Sequence, residues 1–474
     1  MNTGGTFMTR YLCLFVVLFI HAAFAVAPGG DEKGALTPQV IKELRSSFTL
    51  DATTRSALNA VSQNDVKSLA LDRMVSAALD KNFSHRITTE GVTNQQKSGR
   101  CWLFAGLNIM RPIAARALNV KMFEFSQNYL FFWDKLEKAN LFLESIIRTA
   151  DRPVSDREVE WLLKHPFPDG GQWNMVLSLV KKYGAVPKEV MPESKNSSNT
   201  GNMNKMISTL LRKDAAALRG MHAKGASQTD LEKRKLAMLK EVYRLLALHL
   251  GVPPTSFTWR YKDKDGKLSE PRTYTPREFL AATVNLQLDD YVCLHNIPGR
   301  PYNRLYQIQF DRNMLDQPNM TFVNLPMEML ADITRKSVLA DEPVWFGCDV
   351  GKESNSKLGF MKRSLYDYDD LYGVDFSMTK EQRIWYHESV PTHAMVITGV
   401  DIQDGKPVKW LVENSWGAKV GEKGYFTMYD DWFHEYTYSI IVNKKFVPDE
   451  VLKLFEGEAE MLPPWDPMFA LEWQ

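Results

Sequence analysis

Gln95-Gln96-Lys97-Ser98-Gly99-Arg100-Cys101-Trp102-Leu103-Phe104-Ala105, QQKSGRCWLFA, sets one cysteine at the junction of a polar run and an apolar, helix-favouring run. A thiol at the first turn of a helix faces unpaired backbone N–H groups and the positive end of the helix dipole, and both favour thiolate. Cysteine is also among the most buried residue types, so this placement alone fits a packing residue as well as a nucleophile. The rest of the chain decides between them.

A cysteine nucleophile needs a base, and the base needs a third group to fix its tautomer. Of nine histidines, His393 opens the β-branched run Ala394-Met395-Val396-Ile397-Thr398-Gly399-Val400, which would hold its ring at the end of a buried strand. Twenty-one residues later Val412-Glu413-Asn414-Ser415-Trp416-Gly417 ends another strand-like run. The Asn414 carbonyl can accept an imidazole N–H, and Trp416 can shield that bond from water. Gln95, six residues before Cys101, can add its NH₂ to the Cys101 backbone N–H as donors to an oxyanion, with Gln96 as competitor. Nucleophile, base, orienter and oxyanion donor are then all present.

Around these motifs the order is helices first and strands later. Thr37-Pro38 reads as a capped helix start, and helices are expected over 51–62 and 64–79. Helical spacing continues from Cys101 to about Met110, with Trp102, Ala105 and Ile109 on one face, then over 126–149, 158–164, 173–183 and, as two long helices, 203–250. Lys264-Asp265-Gly266-Lys267 suggests a hairpin turn. Strand-like runs follow at 291–294, 343–347, 393–400, 408–412, 424–428 and 439–442. This segregation predicts an α+β fold, a helical layer against a mostly antiparallel sheet.

The motifs at Gln95 to Ala105, at His393-Ala394 and at ENSWG, Glu413 to Gly417, resemble those of papain-like cysteine peptidases, in that family's order of Gln, Cys, His, Asn. LTPQVIKELRSSF, FSQNYLFFWDKLEKAN, DGGQWNMV, PVWFGCDVG, THAMVITGVD, WLVENSWG and PPWDPM narrow the resemblance to the bleomycin hydrolase and aminopeptidase C branch, from Leu36 to the C-terminus. The resemblance implies a papain-like unit enlarged by a helical insertion, acting as an aminopeptidase on peptides and assembled as a homohexamer. It assigns Cys101 as nucleophile, His393 as general acid and base, Asn414 as orienter and Gln95 as oxyanion donor, with Trp416 beside them. Gly170 and Gly171 resemble the segment along which such enzymes pair substrate backbone; a helix-initiating turn explains the same glycines. The family's C-terminal residues lie in the cleft, so the Gln474 carboxylate would meet the substrate ammonium. Two departures stand out. Phe469 replaces a small glycine and the chain runs on through Ala470 to Gln474, so the tail is expected to project further into the cleft or to be trimmed.

The second departure is the N-terminus. Arg10, an apolar run from Tyr11 to Ile20, and Ala23-Phe24-Ala25 read as a signal peptide over 1–25, cleaved after Ala25, so that the protein is exported, periplasmic or secreted, with no stable membrane span left. The domains expected after it are an N-terminal helical arm at 26–90, a catalytic unit at 91–455 with a helical insertion near 190–285, and a C-terminal arm at 456–474. Cys101, Cys293 and Cys348 are an odd number, so at least one thiol stays free. Their spacing fits no zinc site, and the expected chemistry uses no metal or organic cofactor. A net charge of +1 argues against a polyanionic partner. The basic run at 203–250 keeps a nucleic-acid-binding ring open as an alternative, and the altered tail an endopeptidase or carboxypeptidase.

Overall fold

The computed structural model describes Met1, residues 33–285 and residues 287–469; the expected signal segment and Gln474 lie outside the described residues. The chain divides into two compact units, Met1–Asp65 and Val66–Gln474. In the first, α1 (Pro38–Ser47) starts where Thr37 accepts from the Val40 N–H, and α2 (Ala52–Gln63) where Asp51 accepts from that of Thr54. Neither helix buries a residue.

The second unit opens with two short helices, α3 (Val66–Ala70) and α4 (Arg73–Ala77), in place of the single helix expected over 64–79. Asp72 is the cause: its carboxylate accepts from the Met74 and Val75 N–H groups and caps a new helix there. Strand β1 (His85–Arg86), within the stretch expected as arm, pairs with the main sheet. The helical layer follows: α5 (Cys101–Ala117), α6 (Gln127–Arg148), α7 (Arg157–Lys164), α8 (Trp173–Tyr183), α9 (Gly201–Ala223) and α10 (Gln228–Leu250). A hairpin of β2 (Phe257–Trp259) and β3 (Arg272–Tyr274) turns at Gly266, where φ is +82°, and leads into α11 (Pro276–Thr283).

The remaining strands are β4 (Tyr291–His295), β5 (Arg304–Ile308), β6 (Thr321–Asn324), β7 (Val344–Cys348), β8 (Ser354–Asn355), β9 (Phe360–Met361), β10 (His393–Gln403), β11 (Lys406–Glu413), β12 (Tyr425–Tyr429), β13 (Thr437–Asn443) and β14 (Glu460–Leu462). Helix α12 (Met327–Leu339) interrupts them after β6. Among the described residues they form one sheet in the order β14-β5-β6-β4-β13-β7-β10-β11-β12-β9-β8, with β1 added at β10. Its pairs are antiparallel except β4 with β6, β5 with β14 and β9 with β12. The fold is therefore α+β, with a helical layer on a mostly antiparallel sheet.

Alternation along the strands divides the apolar side chains between two cores. Ala394 and Val396 of β10 and Trp345 of β7 join the core under α5, α6 and α8, while Met395, Ile397, Phe346 and Val344 join the core under α12. Helix α5 sits against the first core and buries more than the one face expected: every residue from Trp102 to Arg111 is buried. Such a helix is fixed on all sides, and it carries Cys101 at its first position.

Candidate active site

The approach to Cys101 is tied down bond by bond. Gln95 N–H donates to the Ser415 carbonyl (2.8 Å), Lys97 N–H to Ser198 (3.0 Å) and Ser98 Oγ to Gln95 (2.6 Å). A Cβ on Gly99 would come within 2.8 Å of Asp169 Cβ, so only glycine lets the loop pass there. Arg100, fully buried, donates both guanidinium NH₂ groups to the Glu193 carboxylate (3.1 and 2.8 Å) and its Nε to Ser98 Oγ (2.9 Å). Its carbonyl accepts from the Leu103 and Phe104 N–H groups and starts the helix. The residue before Cys101 is thereby locked in a conformation that leaves the Cys101 and Trp102 N–H groups aimed at the sulfur.

Strand β10 brings the second component. The Ala394 N–H also points at the Cys101 sulfur, so the thiol lies against the start of the strand that opens with His393. His393 Nε2 is 2.9 Å from Asn414 Oδ1, and the Ser415 N–H donates to the same oxygen at 2.7 Å. Because the Ser415 neighbour is a donor, the Asn414 carbonyl must face it, and His393 therefore carries its proton on Nε2. That tautomer leaves the Nδ1 lone pair for the thiol proton. The Trp416 ring lies 4.9 Å from the imidazole, centroid to centroid, and excludes water from the bond.

Burial opposes each charge when it stands alone. It raises the Cys101 thiol above its ordinary range, against the stabilising N–H groups of Ala394, Trp102 and Cys101 itself. It lowers His393 to about 4, against the Asn414 hydrogen bond. A buried charge is stabilised only by a partner of opposite sign, so the chemistry of this site needs thiolate and imidazolium to form together.

Gln95 and Gln96 separate clearly. Gln96 is exposed with φ at +55°. Gln95 is buried, and its amide is oriented from both ends: Nε2 donates to the Ser98 carbonyl at 2.7 Å, and Oε1 accepts from Ser415 Oγ at 2.7 Å. The Ser98 carbonyl can only accept, which fixes the NH₂ on that side and leaves its second proton for another acceptor. Ser415 was not singled out in the sequence. The signal was its place next to Asn414, but nothing local shows that its hydroxyl reaches a residue over three hundred positions away.

Gly170 and Gly171 lie on the other side of Trp102. A Cβ on Gly171 would sit 2.8 Å from Trp102 Cε2 and 2.9 Å from Met175 Sδ, so close packing on Trp102 requires this glycine. Trp102 Nε1 donates to the Asp169 carbonyl (2.9 Å), and Lys138 Nζ to that of Gly170 (2.6 Å). Beneath them Lys135 pairs with Asp169 and Lys138 with Asp134, each at 2.8 Å. The ammonium of Lys135, together with Thr200 and Asn204, holds the Asp169 carboxyl well below the usual range despite its burial. These four charged residues neutralise one another and set the glycine segment against α5. Phe469 is buried, 5.7 Å from both the His295 and Phe322 rings, centroid to centroid. Among the described residues no cluster of His, Cys, Asp or Glu is arranged to hold a metal, and Cys101, Cys293 and Cys348 are all free.

A helix-borne thiol set against the start of the strand that opens with a histidine, and that imidazole bonded to its amide partner, on a helical layer packed against a mostly antiparallel sheet, define the class of papain-like cysteine peptidases. The chain belongs to the Peptidase C1-like family, whose sequence model matches residues 35–469. It is 42% identical over 440 residues to aminopeptidase C of Streptococcus thermophilus, covering 92% of this chain and 99% of that one. It is also 42% identical over 449 residues to bleomycin hydrolase of Homo sapiens, covering 92% and 98%. The crystal structure of PepW from Lactobacillus rhamnosis HN001 matches with a TM-score of 0.89 and 42% identity, over 92% of this chain and 99% of that one. These relatives place it in the aminopeptidase C and bleomycin hydrolase branch.

Proposed function

We propose that this chain is a cysteine aminopeptidase that releases N-terminal residues from peptides through an acyl-enzyme. The observation that carries this reading is the buried hydrogen bond from His393 Nε2 to Asn414 beside the Cys101 thiol. His393 Nδ1 takes the thiol proton, and the sulfur attacks the first peptide carbonyl. The oxyanion meets the Cys101 N–H and the free Gln95 N–H. His393 then protonates the leaving amine and activates the water that hydrolyses the thioester. The names of the relatives, aminopeptidase C and bleomycin hydrolase, support this substrate class over the endopeptidase, carboxypeptidase and nucleic-acid-binding alternatives.

The tail that follows Phe469 supplies the exopeptidase restriction, its carboxylate reading the substrate ammonium, after the enzyme trims its own extension. The chain is exported and assembles as a homohexamer; the unburied apolar residues of the arm, Leu36, Leu44 and Phe48 among them, suit packing onto other copies. Cys101→Ala removes turnover of amino-acyl amides while the fold persists, and N-acetylation of a substrate blocks cleavage by the wild type. Turnover by Cys101→Ala, or equal cleavage of free and acetylated peptides, overturns the reading. Intact-mass measurement of active enzyme that still ends in Gln474 rejects trimming, N-terminal sequencing that begins at Met1 rejects signal cleavage, and light scattering at monomer mass rejects the hexamer.

A further inference from the structure

Beside Gly170 and Gly171 lies a cavity of about 100 Å³ lined by Phe142, Trp161, Met175, Phe469 and Asp311. Ligand sites for whole small molecules span about 300–1,000 Å³, so this volume suits one side chain. The loop that supplies Asp311 is held in a costly shape: Phe310 has φ at +65° and stacks on Trp161, with ring centroids 5.7 Å apart. Such conformations cluster at ligand clamps. The Asp311 backbone is anchored, its carbonyl accepting from Asn174 Nδ2 (2.8 Å) and from the Met320 N–H (2.9 Å). Its carboxyl, among the described residues, accepts no hydrogen bond and joins no ion pair.

The surrounding charges do not satisfy it. Lys138 is the nearest cation, but its ammonium is committed to Asp134 and to the Gly170 carbonyl. His165 uses Nδ1 on the Trp161 carbonyl, and burial holds its ring on the neutral side. Arg312 directs its guanidinium to the Gln317 carbonyl (3.4 Å). Lys135 and Lys138 are balanced by Asp134 and Asp169, which leaves Asp311 and Arg312 as the lining charges without an ion pair among the described residues, and Arg312 is turned to the Gln317 carbonyl. Burial raises the Asp311 carboxyl to about 7, a cost that a cationic guest would reverse.

We propose that this cavity receives the side chain of the substrate's N-terminal residue and that Asp311 selects lysine and arginine there. The apolar walls take the methylene stem, and the carboxylate takes the charged head in a desolvated, charge-assisted contact. Gly170 and Gly171, which resemble the segment that pairs substrate backbone in such enzymes, form part of the cavity wall. This inference rests on the aminopeptidase reading for its substrate, but its test does not need turnover. Calorimetry on full-length Cys101→Ala compares L-lysinamide with L-norleucinamide, which shares the stem and lacks the ammonium. Lysinamide is expected to bind at least about tenfold more tightly, and Cys101→Ala/Asp311→Asn to lose that advantage. Equal affinities in the Asp311-bearing protein, or an advantage that survives Asp311→Asn, overturn the proposal even if the peptidase reading stands. The comparison within Cys101→Ala decides the matter alone if the double variant fails to fold. In active enzyme, Asp311→Asn lowers kcat/KM about tenfold for N-terminal Lys and Arg amides and less than about threefold for Met and Leu amides; a uniform loss rejects selection.

Discussion

Replacing Ser415 with alanine removes one hydroxyl, and its effect should be read in Gln95. The Ser415 Oγ bond to Gln95 Oε1 (2.7 Å) is one of two side-chain bonds that orient the Gln95 amide, the other running from Nε2 to the Ser98 carbonyl (2.7 Å). Without the hydroxyl, Gln95 does not flip, because a flip would point Oε1 at the Ser98 oxygen. The amide stays correctly faced but is held at one end only, and a buried acceptor loses its donor at a cost of about 1–3 kcal/mol to the fold. If 1–2 kcal/mol of that is felt only in the transition state, kcat falls about 5- to 30-fold, tenfold per 1.4 kcal/mol, with KM unchanged. Removing the donor itself, in Gln95→Ala, costs about 10²–10³. Steady-state kinetics on an amino-acyl coumarin amide measures all three variants, including Gln95→Ala/Ser415→Ala. The double variant should be no slower than Gln95→Ala, since the hydroxyl acts through the amide. A Ser415→Ala loss equal to that of Gln95→Ala, or additive losses in the double variant, would refute the reasoning.

Other perturbations follow from the same geometry. Gly171→Ala drives a methyl into Trp102 and Met175 and should cost about 1–3 kcal/mol in thermal unfolding, with a fall in kcat as Trp102 shifts; an unchanged melt and rate would contradict the packing role. Glu193→Gln leaves the buried Arg100 guanidinium without its counter-ion, and urea unfolding should show a loss of about 3–5 kcal/mol. His295 is buried with neither ring nitrogen bonded, stacked on Phe322 at 4.1 Å, and burial lowers it to about 3. The native state holds this ring neutral, so below the unfolded value of 6.5 the unfolded chain binds a proton that the native chain does not. Stability is therefore lost as pH falls from 6.5 toward 3, by about 1.4 kcal/mol per unit. His295→Phe should remove that share, and the stability gap between variant and wild type should widen steadily below pH 6.5; a constant gap would show that His295 is not held neutral.

How much of this was legible in the sequence depended on the range of the interaction. Helix α8 runs from Trp173 to Tyr183 as its spacing predicts, because its buried face repeats within one segment. The strands beginning at His393 and Val344 were visible as β-branched or aromatic runs for the same reason. Strands β5 and β14 were not: each is short and mixed in character, and their parallel pairing joins Tyr306 to Glu460, a contact with no local signature. At the site, the pairing of His393 with Asn414 was legible from residue type and context, whereas the seat of Gln95 on Ser415 and the charge quartet under Gly170 depend on residues far apart in the chain. Helix α5 shows the converse. Its helical reading held but named only the face of Trp102, Ala105 and Ile109, because a helix buried all round has no polar face to show the rest, and Asn108 and Arg111 are satisfied by partners elsewhere, Thr93 and Glu413.

The grip of Arg100 on Glu193 has a consequence for how this enzyme could be taken apart. The segment leading into α9, with the first turn of that helix, is stitched to the loop before Cys101 and to Asp169: Glu193 to Arg100, Ser198 to the Lys97 N–H, Thr200 and Asn204 to Asp169. The helical pair α9–α10 therefore cannot be lifted out as a cassette with its natural ends. A minimal protease carved from this scaffold would have to keep 193–204 as part of the catalytic body and place its new join beyond Asn204; cut earlier, it would lose the clamp that sets the residue before Cys101. The resemblance suggests a helical insertion from near 190, and the wiring of the loop ties the first residues of that stretch, through Asn204, to the body that carries Cys101.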